Sequence, residues 1–347
     1  MTPRRHIIPV FVPHFGCLNE CVFCNQKRIS GTLEPATPRT VSRAIESAQF
    51  LKEDGAVKQL AFFGGSFTAI PIPEQEALLG AAQPFLAEYS NASIRISTRP
   101  DCIDGKTLSR LMRYGVRTIE LGAQSMDETV LAASGRGHSA QDTVNASRLI
   151  KQYGFELILQ MMTGLPEDTP EKAIGTAEKL VALSPDGIRL YPTVVIRDTK
   201  LYDMWKDGVY NEHTVEDAVR LCAAVYRVFE RAGIQIIRLG LNPTEELSGG
   251  DAVAGAYHPA FGELVLSRVY LDNARSLLKE AFAQMDKGCV RSVTLGVAPE
   301  RISVMTGHGR SNMTALREEF GCESVRVAAI NAEPGEIVIM CIENTMQ

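Results

Sequence analysis

Apolar and β-branched residues gather along the chain in short runs, and between these runs apolar positions recur at helical spacing. The runs at 6–12, 57–63, 94–98, 117–121, 157–162 and 187–192 predict strands. The stretches 38–53, 73–89, 105–114, 140–153 and 169–183 predict the helices that connect them. Strand and helix in strict alternation predict parallel strands joined by helical crossovers, an α/β architecture. In such folds the site lies beyond the carboxyl ends of the strands, so the segments that follow each strand are where chemistry is expected.

Past residue 241 the pattern changes. Residues 242–250 are rich in turn formers and read as a loop, and a helix is expected from the low 260s to about residue 283. Strand-like runs follow at 290–295, 301–305, 324–330 and 336–341, with a helix over 312–319 among them. The expected organisation is a barrel domain over 1–241, a loop and helical extension over 242–288, and a small α+β appendage over 289–347.

With 45% hydrophobic and 22% charged residues in 347, the chain reads as a soluble globular protein. No apolar run approaches the roughly 18 residues of a membrane helix, and the start of the chain carries no cleavable leader pattern, so no membrane partner is expected. Eight cysteines, three clustered and five scattered (Cys102, Cys222, Cys289, Cys322 and Cys341), predict a reducing, cytoplasmic setting rather than a disulfide framework. A net charge of −5 excludes a broad electrostatic grip on nucleic acid. Arg4, Arg5, Lys27 and Arg28 form a local basic group, as consistent with ordinary solvated charge as with a binding patch.

The three clustered cysteines, Cys17, Cys21 and Cys24, follow the first strand in a CxxxCxxC spacing. Three thiolates can hold three corners of a 4Fe-4S cube and leave the fourth iron open to a ligand. His14 upstream keeps a Cys3His zinc site as the alternative. The second strand runs into Gly64-Gly65-Ser66, where the missing side chains allow a ligand to approach the backbone closely. The third strand ends at Ser97-Thr98-Arg99-Pro100-Asp101, the fourth at Gly122-Ala123-Gln124-Ser125, the fifth at Gly164-Leu165-Pro166 and the sixth at Arg189-Leu190-Tyr191-Pro192. Polar groups at successive strand ends are what a nucleoside, a carboxylate and a substrate require. Gly307-His308-Gly309-Arg310 ahead of Asn312 is either a phosphate-binding turn or a plain glycine turn.

The CxxxCxxC element with its downstream glycines resembles the signature of radical S-adenosylmethionine (SAM) enzymes. That resemblance implies a partial, TIM-like (β/α)6 barrel, a 4Fe-4S cluster on Cys17, Cys21 and Cys24, and cleavage of SAM to a 5′-deoxyadenosyl radical. It also implies a SAM site made by Phe23, Gly64, Gly65, Ser66, Arg99 and Gln124, and a reducing electron donor of the flavodoxin or ferredoxin type. Ser66 stands where many relatives have an acidic residue, which shifts more of the binding to the backbone. The segments Ser97 to Asp101, Glu120 to Ser125, Arg136-Gly137-His138, Met161 to Pro166, and Tyr191 to Tyr202 resemble more specifically the radical domain of the Elongator catalytic subunit family. By that resemblance the substrate is tRNA or another RNA, and Arg136, His138, Tyr191 and Arg197 line the substrate side. The family's basic N-terminal extension and acetyltransferase domain have no counterpart expected here, which puts acetyl-CoA chemistry in doubt. Two alternatives stay open, a porphyrin-type radical enzyme related to oxygen-independent coproporphyrinogen oxidase and a non-catalytic iron-sulfur or haem carrier.

Overall fold

In the computed structural model, which describes residues 5–13, 15–17, 21–31, 36–48, 56–245, 247–283 and 290–344, the chain divides into two compact units. The first comprises 1–218 and 228–259, the second 219–227 and 260–347.

The first unit is built on seven strands: β1 (Arg5–Phe11), β2 (Val57–Phe63), β3 (Ala92–Thr98), β4 (Val116–Gln124), β5 (Glu156–Thr163), β6 (Gly187–Pro192) and, after the short β7 (Val194–Ile196), β8 (Ile236–Leu239). They lie in the order β1-β2-β3-β4-β5-β6-β8 with every pairing parallel, an open sheet curled into a half-barrel. The middle strands are buried along nearly their whole length, as strands covered on both faces must be. Several helices start where the sequence supplies a cap. The side chains of Thr37, Asp104, Ser139, Thr169 and Thr214 each accept a hydrogen bond from an amide of the first turn, worth about 1 kcal/mol apiece.

The six expected strands are present, and a seventh, β8, extends the sheet beyond them. At four residues it is too short to announce itself by alternation. The expected helix over 73–89 is two helices, Ile72–Ala81 and Gln83–Glu88, with Pro84 starting the second because its ring nitrogen has no proton to give. The helix expected over 38–53 runs Pro38–Glu46, and 49–53 lie outside the described residues. Residues 252–255 form β9, which pairs antiparallel with β7. Between β4 and β5 the register slips from Gly122↔Gln160 to Gln124↔Met161, leaving Ala123 as an extra residue. A bulge of this kind re-aims the side chain that follows it.

In the second unit a three-stranded sheet, ordered β11 (Ser324–Ala329), β10 (Val290–Val297), β12 (Val338–Asn344), packs against the helices Phe261–Phe282 and Ser311–Phe320. Val293, Leu295, Val297, Ala274, Leu278 and Leu316 form its core. The strand expected at 301–305 is instead a helix, Ile302–Thr306, entered through a turn that begins at Pro299. Ile302 and Met305, one turn apart, face this core, and that packing overrides the strand preference of Ile and Val. Asn312 is buried, and its amide donates to Ser267 O and Met305 O, so it ties the glycine turn to its neighbours as a structural residue.

Candidate active site

The loops after the parallel strands border a cavity of about 1110 Å³. Its wall includes Cys17, Cys21 and Cys24 from the loop after β1, and Gly64, Gly65 and Ser66 from the loop after β2. These two loops are packed backbone on backbone. A methyl group on Gly65 would lie 2.4 Å from Val12 O and 2.5 Å from Phe15 O, and Ser66 N donates to Phe15 O at 3.0 Å. Gly16, at a φ of +76°, leaves equally little room, with Ser66 O 2.3 Å from where its Cβ would stand. The cysteine loop is thus seated by glycines on both partners.

Donors approach all three thiols, Ser66 serving Cys17. Gln26 Nε2 lies 3.2 Å from Cys24 Sγ, and Arg136 Nη1 lies 3.2 Å from Cys21 Sγ. Loss of water around Cys24, and then the neighbouring Cys21, push its thiol up to about 12. Burial and then the neighbouring thiols raise the proton affinity of Cys17 and Cys24, and such a donor set suits a cationic iron cluster, whose charge deprotonates the thiols it binds. A cube asks each thiol for a separate iron. Among the described residues no three ligating side chains are gathered closely enough for a single ion, and His14 of the zinc alternative lies outside the described residues.

At the end of β4 the bulge sets Gln124 at a φ of +63°, buried at the cavity wall with its Oε1 unpartnered. A buried amide oxygen with no partner among the described residues is an acceptor left open. Arg99 Nε and Nη2 are clamped onto Asp101 at 2.9 and 2.8 Å. Beneath the cavity Glu120 is fully buried, ion-paired to Arg95 and, at 2.9 Å, to Arg189 Nη2. Arg189 also lies over the Phe63 ring and donates to Tyr191 Oη at 3.2 Å. Arg238 on β8 reaches the same wall, and among the described residues its side chain donates from Nε to Gly240 O.

Of the residues the sequence singled out, Cys17, Cys21, Cys24, Phe23, Gly64, Gly65, Ser66, Arg99, Gln124, Arg136 and Tyr191 are brought to this one cavity. His138 is buried behind Arg136 and does not line it. Arg197 is exposed, its Nε donating to Gly250 O, and it too stays off the wall. Sequence reasoning missed Arg95, Glu120 as its partner, and Arg238. The charge in Ile94-Arg95-Ile96, inside an apolar strand, was the available signal. It also missed that Arg28 bridges Asp198 and Asp251, bonding both oxygens of Asp251 at 2.7 Å. Arg28 of the basic group is therefore paired, while Arg4 and the side chains of Arg5 and Lys27 lie outside the described residues.

Comparison with known proteins places this geometry. Residues 11–180 match the Radical SAM superfamily, and residues 185–270 match the Radical_SAM C-terminal domain. Human Elongator complex protein 3 is 35% identical over 182 residues, covering 47% of this chain and 33% of that protein. The tRNA uridine(34) acetyltransferase of Methanocaldococcus infernus is 28% identical over 252 residues, covering 61% of this chain and 46% of that one. The chain therefore spans between a third and a half of these relatives. Among solved structures, the N-terminally deleted Elp3 of Methanocaldococcus infernus superposes with a TM-score of 0.61 at 21% identity, over 79% of this chain and 64% of the other. Coproporphyrinogen III oxidase from Escherichia coli gives 0.50 at 19% identity, over 67% and 53%. Both share the fold. With family matches over most of its length and a half-barrel whose cavity gathers its three clustered cysteines, the chain belongs to the radical SAM superfamily, enzymes that use a 4Fe-4S cluster and SAM, and its radical SAM region is related to that of Elongator complex protein 3.

Proposed function

We propose that this protein is a radical SAM enzyme acting on tRNA or a related RNA, with Cys17, Cys21 and Cys24 holding the cluster. When bound, the cluster supplies the electron that cleaves SAM and starts radical chemistry on the substrate. The observation that carries the RNA reading is the charge of the cavity. Arg99, Arg136, Arg189, Lys200 and Arg238 line it, against Asp198 as the one carboxylate among the described lining residues, and although Asp101 answers Arg99 and Glu120 is shared by Arg95 and Arg189, cations outnumber carboxylates there in a chain whose net charge is −5. Positive charge concentrated there suits a polyanionic substrate.

Within that wall Phe23, Gly64, Gly65, Ser66, Arg99 and Gln124 lie on the cysteine side, where SAM would bind. Arg189, Tyr191 and Arg238 come from β6 and β8, the other edge of the sheet, and face substrate in this reading. Arg238 forms no ion pair among the described residues, so its guanidinium is available to a phosphate or a base carbonyl. The names of the relatives that act on tRNA support the same substrate class. An electron donor of the flavodoxin or ferredoxin type and a cytoplasmic setting complete the proposal. The seven described cysteines form no disulfide, and no helix among the described residues is long and apolar enough to cross a membrane.

The test is anaerobic reconstitution with iron and sulfide, then dithionite and SAM, with 5′-deoxyadenosine measured in the presence and absence of bulk tRNA. Cleavage that rises with tRNA and vanishes in Cys17→Ser, Cys21→Ser and Cys24→Ser is the expected result. Cleavage stimulated by a porphyrinogen and indifferent to tRNA would overturn the RNA reading. A fully loaded cluster that never cleaves SAM would make the protein a carrier.

A further inference from the structure

Arg136 was expected on the substrate side, yet its guanidinium is held from three directions at once. Nη1 donates to Cys21 Sγ at 3.2 Å, Nη2 to Gly122 O at 2.5 Å and Nε to His138 Nε2 at 3.3 Å. The side chain is buried, at 7% exposure. Its backbone is equally fixed, with Arg136 N donating to Leu131 O at 3.1 Å. The same turn offers Ser134 O to Val22 N of the cysteine loop at 3.1 Å. Cysteine loop and guanidinium are thereby tied to one short segment.

We propose that Arg136 is a built-in donor to the cluster thiolate of Cys21 that raises the cluster's reduction potential, and that His138 and Gly122 are the positioning residues that hold it. The inference rests on the cysteines binding the cluster as proposed above.

The physical argument is electrostatic. Reduction adds one negative charge to the cluster and its thiolates, and hydrogen bonds to the sulfurs are among the established determinants of its potential. A charged guanidinium within hydrogen-bond distance of one sulfur favours the more negative, reduced form. That effect requires the donor to stay in place, and the neighbours show how it does. His138 Nε2 accepts from Arg136, so the ring is neutral with its proton on Nδ1, which faces Ser139 O at 3.2 Å. Ser139 is itself pinned as the cap of helix Ala140–Gln152. Gly122 contributes by having no side chain, since a Cβ there would stand 3.2 Å from Arg136 Nη2 and 3.1 Å from Gln124 Nε2.

The experiment is an EPR-monitored redox titration of the reconstituted holoprotein without SAM, with iron and sulfide content measured on each sample. Arg136→Met should lower the ratio of reduced to oxidised cluster at a fixed ambient potential about tenfold, a shift of about 59 mV for one electron. His138→Phe, which removes the acceptor but leaves the arginine, should shift the titration in the same direction. His138→Asn, which can still accept from Nε, should remain close to wild type. A merely structural histidine would not separate the Phe and Asn variants in this way. If Arg136→Met does not take up cluster, the His138 pair and Arg136→Lys decide the question on loaded protein. Loaded variants that all titrate with wild type would overturn the inference and leave the cluster reading standing. Wild-type protein that binds no cluster would overturn both.

Discussion

Replacing Glu120 with glutamine keeps the shape of a fully buried side chain and removes its charge. Glu120 Oε1 is in ionic contact with the guanidiniums of Arg95 and Arg189, without hydrogen-bond alignment at that oxygen. Oε2 accepts from Ser97 Oγ at 3.2 Å and from Gln160 Nε2 at 2.9 Å. Arg95 is the exposed flank of this arrangement in energetic terms. It is 1% accessible, burial pulls its pKa down, and Glu120 is the largest influence opposing that shift. Arg189 loses less, because it borders the cavity and keeps the Phe63 ring and Tyr191. Removing one member of a buried ion pair costs about 3–5 kcal/mol, because the surviving charge stays desolvated. For a domain of this size that is a Tm lower by about 6–20 °C, at about 2–4 °C per kcal/mol. Trp205 is the only tryptophan and belongs to the same unit, so urea unfolding followed by its fluorescence reports on the half-barrel. Adding Arg95→Met to Glu120→Gln should recover more than about 1 kcal/mol, since the orphaned charge goes with it. A single variant within about 1 kcal/mol of wild type, or a double variant no better than the single, would refute the account of Glu120 as the counter-charge.

Gly65→Ala should disrupt the seat of the cysteine loop, because its Cβ meets two carbonyl oxygens at 2.4 and 2.5 Å, and iron retained after reconstitution should fall well below wild type while unit-one unfolding moves little. Two buried groups make opposite pH contributions. His138, held neutral by burial and then by Arg136, has its pKa lowered to about 4, so the stability it lends is present above its unfolded value near 6.5 and is lost as pH falls towards 4. Asp168, raised by burial to about 6, favours the folded state when protonated and loses that contribution as pH rises from about 4 through 6. Each is worth up to about 1.4 kcal/mol per pH unit within its window, so they largely cancel. Relative to wild type, His138→Asn should gain stability on acidification between pH 6 and 4, and Asp168→Asn should lose it, which denaturant titrations at stepped pH will show. Arg28→Gln should leave global unfolding almost unchanged, since its pairs with Asp198 and Asp251 are near the surface, and limited proteolysis should detect loosening near residues 247–251 first.

Much of this protein was legible from local pattern alone. The six leading strands, their helical crossovers and the placement of CxxxCxxC after the first strand all depend on residues close in sequence. Periodicity and turn chemistry act over a few residues, so such features can be read without knowing what they pack against. The four-residue β8, the β7 and β9 ladder and the helix at Ile302–Thr306 escaped that reading, because each is stabilised by a partner distant in the chain.

The site divides along the same line. By itself the sequence determined which thiols, glycines and strand ends would meet at one mouth, since a parallel sheet delivers every strand's carboxyl end to the same side. Only the tertiary structure decided where the side chains at that mouth point. The slip at Gly122 and Gln124 set Gln124 at the cavity wall, Arg136 came within hydrogen-bond distance of Cys21 on that wall, and His138 lies behind it. Arg197 was left on the outside, and Arg95, Glu120 and Arg189 came together from three strands. Side-chain direction follows from register, bulges and the competition of distant groups for a few buried partners, and none of these is encoded within a short window of sequence.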